Sequence, residues 1–366
     1  NEREKVSICQ GMKNTGFQVT TEEWINSYDK IYDQARQDWK NDILSRTGNG
    51  ADTMDFFSVY STTPFIMPAG DTIRKPAEGE NVDTAIYVLS RIAGEGADRT
   101  ADKGDYYLKD EEHQMLADIC AYYRDVIVVI NAGAQVDLSF MDEFENIKAL
   151  LTIVQPGMEG GNAVADVLSG KETPSGKLPD TIAENLEDYP SNDNFGDPLT
   201  NLYQEDIYVG YRYFETFAPE KVMFEFGYGI SYTTFDIETV SAKEDAGKIK
   251  LEVKVTNTGD KFAGKEVVQV YYSAPQGKLG KPVKELVAYA KTDKLAPKES
   301  QTLSIEFNVN DMTSYDDSGA TGHKSCYVLE AGDYVIYVGN SVRNVKDVLT
   351  YKLDELKVVE ELSEVM

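Results

Sequence analysis

The chain has 366 residues, 41% hydrophobic and 27% charged, which is enough apolar sequence for two domain cores. Its formal net charge of −27 opposes binding to a phosphate backbone, so neither DNA nor RNA is an expected partner. No apolar run approaches the roughly 18–20 residues that span a bilayer, and no signal peptide is visible, so a membrane partner is not expected. The cysteines, Cys9, Cys120 and Cys326, are odd in number and far apart, which favours a reducing, cytoplasmic location.

Residues 1–200 alternate helix-like segments with short apolar runs, as parallel-sheet proteins do. The chain opens in a helix-like stretch at 3–15, where a doubly wound domain normally begins with a strand, so we expect its first strand to be missing. Short, almost wholly apolar runs predict buried strands at 85–89, 126–130 and 150–154. Apolar residues at helical spacing predict helices over 110–123 and 161–168. The pattern therefore predicts a doubly wound α/β domain.

Residues 232–353 differ, because short segments of alternating polarity are separated by turn dipeptides. This pattern predicts an antiparallel β-sandwich of about seven strands with an immunoglobulin-like fold. The clearest strands are expected at 249–255, 267–272, 303–307 and 333–338. Residues 201–231 form an aromatic connector, which we expect to pack on both domains, since so many rings are costly to leave in water. Residues 354–366 are expected to be a tail that leads towards a further domain.

One candidate for chemistry is Glu95, which lies between two glycines directly after the apolar run at 85–89. In open α/β sheets, ligands collect outside the carboxyl ends of the strands, where this loop is expected. The flanking glycines would let a ligand ring approach the Glu95 carboxylate closely. An acidic residue in a glycine loop is more often a solvated turn or a cap, so the pattern alone leaves both interpretations open. The lack of a phosphate-binding glycine motif argues against a nucleotide-binding domain.

Strings in five parts of the chain, in order, resemble glycoside hydrolase family 3 β-glucosidases. Residues 89–99 with 103–108 are similar to the family's acid/base segment. Residues 155–161 with 165–170 are similar to its second-domain helix, and residues 174–179 to the turn that follows. Residues 205–213 with 226–232 are similar to its connector, and residues 255–260 with 263–271 to its fibronectin-III-like domain. The resemblance spans nearly the whole chain. It implies an α/β-sandwich domain followed by a fibronectin-III-like domain.

The resemblance also implies an exo-acting, retaining β-glycosidase, with β-glucosidase as the expected activity and a β-glucoside or related oligosaccharide as substrate. Glu95 matches the general acid that protonates the leaving oxygen and then acts as the base, while a carboxylate about 5–5.5 Å away attacks the anomeric carbon. In this family the nucleophile is an aspartate on a (β/α)8 barrel, and this sequence shows no eightfold alternation. We therefore expect the chain to be incomplete without a barrel domain or chain of the same enzyme. The expected tail favours a permuted order in which the barrel follows.

Other candidate residues carry weaker signals. Arg91 and Arg99 flank Glu95 and could hold its carboxylate or a substrate hydroxyl, although salt bridges between domains are the preferred interpretation. Trp39 and Phe65 could line an outer sugar subsite, but rings of this kind are more often core residues. The acidic pair 316–317 lacks the spacing of a Ca²⁺ loop and is interpreted as a solvated hairpin. No metal and no cofactor are expected, and the alternative function is a non-catalytic carbohydrate- or protein-binding module.

Overall fold

The computed structural model describes residues 5–50, 53–71, 73, 75–77, 80, 82–91, 99–197 and 199–363. The chain divides into two compact units, Asn1–Lys171 (unit 1) and Glu172–Met366 (unit 2). In the described part of the chain, no helix has both the length and the apolar character needed to cross a membrane.

Unit 1 is an α/β unit, as predicted. Its helices and strands are α1 (Ile8–Asn14), α2 (Glu22–Arg46), α3 (Thr53–Ser61), β1 (Thr84–Ser90), α4 (Asp110–Tyr122), β2 (Asp125–Asn131), β3 (Ile147–Thr152) and α5 (Gly160–Leu168). The strands form a parallel sheet in the order β1-β2-β3. The central strand β2 is the most deeply buried, with Val126, Val128 and Val129 at 0% exposure. This burial explains why the strand reads as an unbroken apolar run.

Two predicted elements of unit 1 have different bounds in the structure. The strand expected at 150–154 is β3, which begins at Ile147 and ends at Thr152. It ends there because Val154 and Gln155 adopt positive φ angles of 44° and 54°, which an extended strand does not contain. The helix expected from residue 3 begins at Ile8, where the Ser7 side chain accepts a hydrogen bond from the Gln10 amide and caps it.

Helices α1 and α5 pack so closely that their contact requires glycine. A Cβ atom on Gly11 would lie 2.0 Å from the carbonyl oxygen of Gly161, and one on Gly161 would lie 2.1 Å from the carbonyl oxygen of Ser7. Both distances are far inside van der Waals contact. The two backbones can therefore touch only because neither residue has a side chain.

Unit 2 contains the predicted β-sandwich. Its elements are β4 (Ile182–Ala183), α6 (Tyr211–Phe217), β5 (Val222–Phe224), β6 (Phe235–Asp245), β7 (Lys248–Asn257), β8 (Val267–Ser273), β9 (Glu285–Lys291), β10 (Ser300–Asn308), β11 (Ser314–Asp316), β12 (Cys326–Leu329), β13 (Gly332–Gly339), β14 (Val345–Leu353) and β15 (Lys357–Glu361). A three-stranded antiparallel sheet, β10-β7-β6, and a four-stranded one, β14-β13-β8-β9, share a single hydrophobic core. In strand β7 every second residue is buried, so one face of the strand contributes to this core.

The aromatic connector packs on the sandwich within unit 2. Tyr211 of α6 stacks on Phe226, with ring centroids 4.5 Å apart, and meets Tyr271 of β8 edge to face at 6.2 Å. The Tyr211 hydroxyl accepts a hydrogen bond of 2.8 Å from the Leu286 amide of β9. Phe214 is fully buried. These contacts remove the rings of Tyr211 and Phe214 from water, and the expected packing of the connector on the α/β domain stays a prediction.

The acidic pair at 316–317 differs from the expected solvated hairpin, because Asp316 is fully buried. Burial raises the pKa of Asp316, but hydrogen bonds donated by Thr321, Gly319 and Ala320 to its carboxylate outweigh that effect, and the net pKa is lowered. The carboxylate therefore organises a turn. Beyond it, the expected tail contains strand β15, which pairs with β12 in a third sheet, β11-β12-β15.

Candidate functional site

The loop that carries Glu95 lies outside the described residues, and the structure describes both of its flanks. Arg91 directly follows β1, and its amide donates a hydrogen bond of 3.0 Å to the carbonyl of Asn131, the last residue of β2. Arg99 begins the second flank. The first flank therefore leaves the sheet at the carboxyl ends of two parallel strands, where the sequence predicted it and where open α/β sheets bind ligands.

Arg91 is 6% exposed, and neighbouring groups of the protein accept hydrogen bonds from its guanidinium group. Its Nε donates to the Asp105 carbonyl at 2.8 Å, and Nη1 and Nη2 hold both carboxylate oxygens of Glu112 at 2.8 Å. The same two nitrogens donate to the carbonyls of Ser90 at 2.9 Å and Tyr107 at 3.4 Å. All five donors of the group thus have acceptors. Because every partner is in unit 1, a salt bridge between domains is the wrong interpretation of Arg91.

Glu112 is the carboxylate on which this arrangement depends, and it lies in the first turn of α4. One of its oxygens accepts a hydrogen bond of 2.9 Å from the Lys109 amide, which caps the helix while both oxygens hold Arg91. Two neighbouring tyrosines respond to this charge. Burial first, and then the Glu112 carboxylate, raise the pKa of Tyr28 to about 12 and raise that of Tyr87 as well. Both phenols therefore stay protonated at neutral pH.

Arg99 anchors the second flank. Its Nε donates to the Asp105 carboxylate, and its Nη1 donates to the Gln135 carbonyl at 2.7 Å. The other Asp105 oxygen accepts a hydrogen bond of 2.7 Å from the Thr100 amide. The buried Nη2 atom of Arg99 has no hydrogen-bond partner among the described residues. The described partners of Arg99 also lie in unit 1, and the expected salt bridge between domains stays a prediction for this residue.

Asp105 therefore connects the two flanks. Its backbone carbonyl holds Arg91, and its side-chain carboxylate holds Arg99. Sequence reasoning named both arginines but missed Asp105, Glu112 and the Gln135 carbonyl. A signal was present, since Arg91 precedes the loop and Glu112 is an acidic residue in the first turn of the next helix, but the pairing depends on the fold.

The two aromatic residues considered for an outer subsite are half-buried and lie in a cluster of their own. Trp39 and Phe65 contact each other with ring centroids 5.7 Å apart, and the guanidinium of Arg36 covers both rings at 4.6 and 5.0 Å. The Trp39 indole donates a hydrogen bond of 2.8 Å to the Thr63 carbonyl. These contacts account for both rings as packing residues of α2 and the segment after α3.

The chain thus combines an α/β unit, in which hydrogen bonds hold Arg91 and Arg99, with an antiparallel β-sandwich. The glycosyl hydrolase family 3 C-terminal domain matches residues 4–232, and the fibronectin type III-like domain matches residues 266–342. The chain belongs to glycosyl hydrolase family 3.

Its relatives are longer proteins. It is 45% identical over 300 residues to a β-glucosidase of Ruminococcus albus, covering 82% of this chain and 31% of the relative. It is 43% identical over 340 residues to β-glucosidase A of Butyrivibrio fibrisolvens, covering 80% and 41%. The solved β-glucosidase of Paenibacillus barengoltzii matches with a TM-score of 0.87 and 43% identity, covering 100% of this chain and 39% of that one. β-Glucosidase 3B of Thermotoga neapolitana, solved with glucose, matches with a TM-score of 0.77 and 33% identity, covering 98% and 48%. The chain thus spans less than half the length of each.

Proposed function

We propose that this chain is the acid/base half of a retaining, exo-acting β-glucosidase that hydrolyses terminal β-linked sugars. The observation that carries the proposal is the anchored pair of flanks at the carboxyl edge of the parallel sheet, in a member of family 3, on either side of the segment that contains Glu95. That edge is where α/β folds bind ligands. A neutral sugar is also compatible with the net charge of −27, which opposes anionic ligands.

In the proposed reaction, Glu95 donates its proton to the glycosidic oxygen as the leaving group departs. A nucleophilic aspartate from the (β/α)8 barrel forms the covalent glycosyl intermediate, and the ionised Glu95 then removes a proton from the attacking water. The water's oxygen bonds to the anomeric carbon as the bond to the aspartate breaks, which frees that carboxylate, and Glu95 regains its proton. No cofactor takes part, because the two carboxyl groups perform both steps.

The proposed partner is a barrel domain or chain of the same enzyme. Support comes from a run of exposed apolar side chains in unit 2: Phe195 (64% exposed), Leu199 (93%), Leu202 (59%) and Tyr203 (86%). Apolar side chains this exposed and this near one another in the chain favour an interaction site, because each is costly to leave in water. The lengths of the relatives agree, since this chain covers only 31% and 41% of the first two.

The test compares Glu95→Gln and Glu95→Ala in the complete enzyme, with this chain and its barrel together. With cellobiose, whose leaving group needs a proton, both variants are expected to lose about 10²–10⁴-fold in kcat/KM. With 2,4-dinitrophenyl β-glucoside, whose leaving group needs none, the loss in kcat/KM is expected to be much smaller. Azide should accelerate turnover of the Glu95→Ala variant by attacking the glycosyl intermediate without base assistance.

Two controls make this test specific. Asp102→Asn changes an exposed carboxylate in the same flank and should leave kcat/KM unchanged for both substrates. The chain without its barrel should show no turnover. Equal rates for Glu95→Gln and the unchanged enzyme on cellobiose would refute the acid/base role, and binding of cellobiose without turnover by the assembled protein would favour a non-catalytic module.

A further inference from the structure

We infer that Asp105 and Arg99 are a positioning pair that fixes the acid/base segment at its carboxyl-terminal end. The inference rests on the proposed role of Glu95 and gives Asp105 and Arg99 a positioning role that the resemblance does not assign to them. Arg99 is held by two acceptors in different parts of unit 1, the Asp105 carboxylate and the Gln135 carbonyl. The guanidinium group is planar and rigid, so two such contacts fix its plane as well as its position.

The two flanks depend on Asp105 through different atoms. Arg91 uses the backbone carbonyl of Asp105 and is also held by Glu112, so it does not need the Asp105 side chain. Arg99 and the Thr100 amide use the side-chain carboxylate. A substitution of the Asp105 side chain therefore loosens the second flank and leaves the first one in place. The chain thus offers a way to release one end of the segment selectively.

The two arginines differ in how many of their donors have acceptors among the described residues. Its Nη2 atom is buried and finds no acceptor among the described residues, whereas all five donors of Arg91 are occupied. A buried donor without a partner is costly, so native proteins rarely retain one without a reason. The described residues therefore supply acceptors for every donor of Arg91, but only for Nε and Nη1 of Arg99.

If this pair positions the acid, the loss in rate caused by loosening it should depend on how much the leaving group needs a proton. A loosened flank lets the acid drift from the glycosidic oxygen, and a displacement near 1 Å can cost on the order of 100-fold in rate. That loss applies to the step in which a proton is donated. An activated aryl glucoside does not need that proton, so its kcat/KM should be nearly unaffected. A purely structural defect would lower both rates together.

The experiment uses the complete enzyme with its barrel and compares cellobiose with 2,4-dinitrophenyl β-glucoside. Asp105→Asn is expected to lower kcat/KM for cellobiose by about 10- to 100-fold and for the aryl glucoside by no more than about twofold. Arg99→Lys keeps the charge but not the planar fork, so it should give the same selective loss. Asp102→Asn, an exposed carboxylate three residues away, is the matched control and should change neither substrate.

Glu95→Gln measured in parallel separates this inference from the proposed function. If Glu95→Gln is selective for cellobiose and Asp105→Asn and Arg99→Lys are not, the positioning role is overturned and the acid/base role stands. Equal losses of Asp105→Asn on both substrates, or no loss on either, also overturn it. If Glu95→Gln shows no selectivity, the proposed function fails and this inference fails with it. Should Asp105→Asn fail to fold, Arg99→Lys decides the outcome.

Discussion

The ion pair between Lys281 and Glu330 lies deep in unit 2, with side chains 2% and 7% exposed. The Lys281 ammonium also donates to the Pro275 carbonyl at 2.9 Å, and the Glu330 carboxylate accepts from the amides of Lys278 at 2.7 Å and Leu279 at 3.2 Å. Together they fix the loop between β8 and β9. Replacing Lys281 with methionine keeps an unbranched chain of similar length but leaves the carboxylate buried without its counter-charge.

We expect Lys281→Met to lower the free energy of unfolding of unit 2 by about 3–5 kcal/mol, because removing one partner of a buried pair leaves an uncompensated charge. This corresponds to a change of about 10²–10⁴-fold in the unfolding equilibrium constant. The control is the exposed pair of Lys248 and Glu306, whose side chains are 44% and 54% exposed. Lys248→Met should have almost no effect, since water already solvates both groups.

The assay is native-state hydrogen exchange of backbone amides in β7 and β8, whose slowest protons report the unfolding of unit 2. A double variant, Lys281→Met with Glu330→Gln, removes both charges while the glutamine oxygen still accepts from one of the two loop amides, which donate to different oxygens of the Glu330 carboxylate. It should recover more than half of the loss caused by Lys281→Met. The reasoning is refuted if Lys281→Met costs no more than Lys248→Met, or if the double variant is as unstable as the single one.

Two further predictions concern close packing and pH. Gly161→Ala should destabilise unit 1 by about 1–3 kcal/mol in urea unfolding, since its Cβ would lie 2.1 Å from the Ser7 carbonyl oxygen. The control is Gly176→Ala, which should be neutral because a Cβ there would meet no atom within 4 Å. Asp316→Asn should destabilise unit 2 most near neutral pH: the pKa of Asp316 is lowered in the folded state, so its contribution is full above the unfolded pKa and is lost as pH falls through the folded pKa. Exposed Asp317→Asn should show no such pH dependence in thermal unfolding, and equal curves for the two variants would contradict the assignment.

The elements that were predicted well from the sequence are those whose buried residues follow a regular pattern along the element. Strand β2 is buried along most of its length, and β7 is buried at every second position, so each leaves a clear pattern in the sequence. The long helix α2 was not predicted. Of its 25 residues only Ile43 is buried, so no continuous apolar stripe marks it, and it is packed instead through aromatic contacts such as those of Trp39. Strand β15 was missed because its residues are largely exposed.

The candidate site shows a similar division between local and long-range information. A resemblance in sequence was enough to single out Glu95, which stays a prediction, and its two neighbouring arginines. The partners of those arginines lie 21 residues away at Glu112 and 36 residues away at Gln135. One of them is a backbone carbonyl, which carries no side-chain signature. Only the fold shows that every donor of Arg91 has an acceptor and that Nη2 of Arg99 has none among the described residues.

The anchoring of both flanks has a physical reason if the reaction is divided as proposed. A retaining glycosidase needs its two carboxyl groups about 5–5.5 Å apart, yet here the acid and the nucleophile would belong to different domains. Each domain must then hold its own carboxyl group rigidly, because motion within either one adds directly to the error in their separation. The described hydrogen bonds of Arg91 and Arg99 have their acceptors in unit 1, so these contacts meet the requirement without help from the barrel. If so, mutations at Asp105 should impair proton donation even when the barrel binds normally.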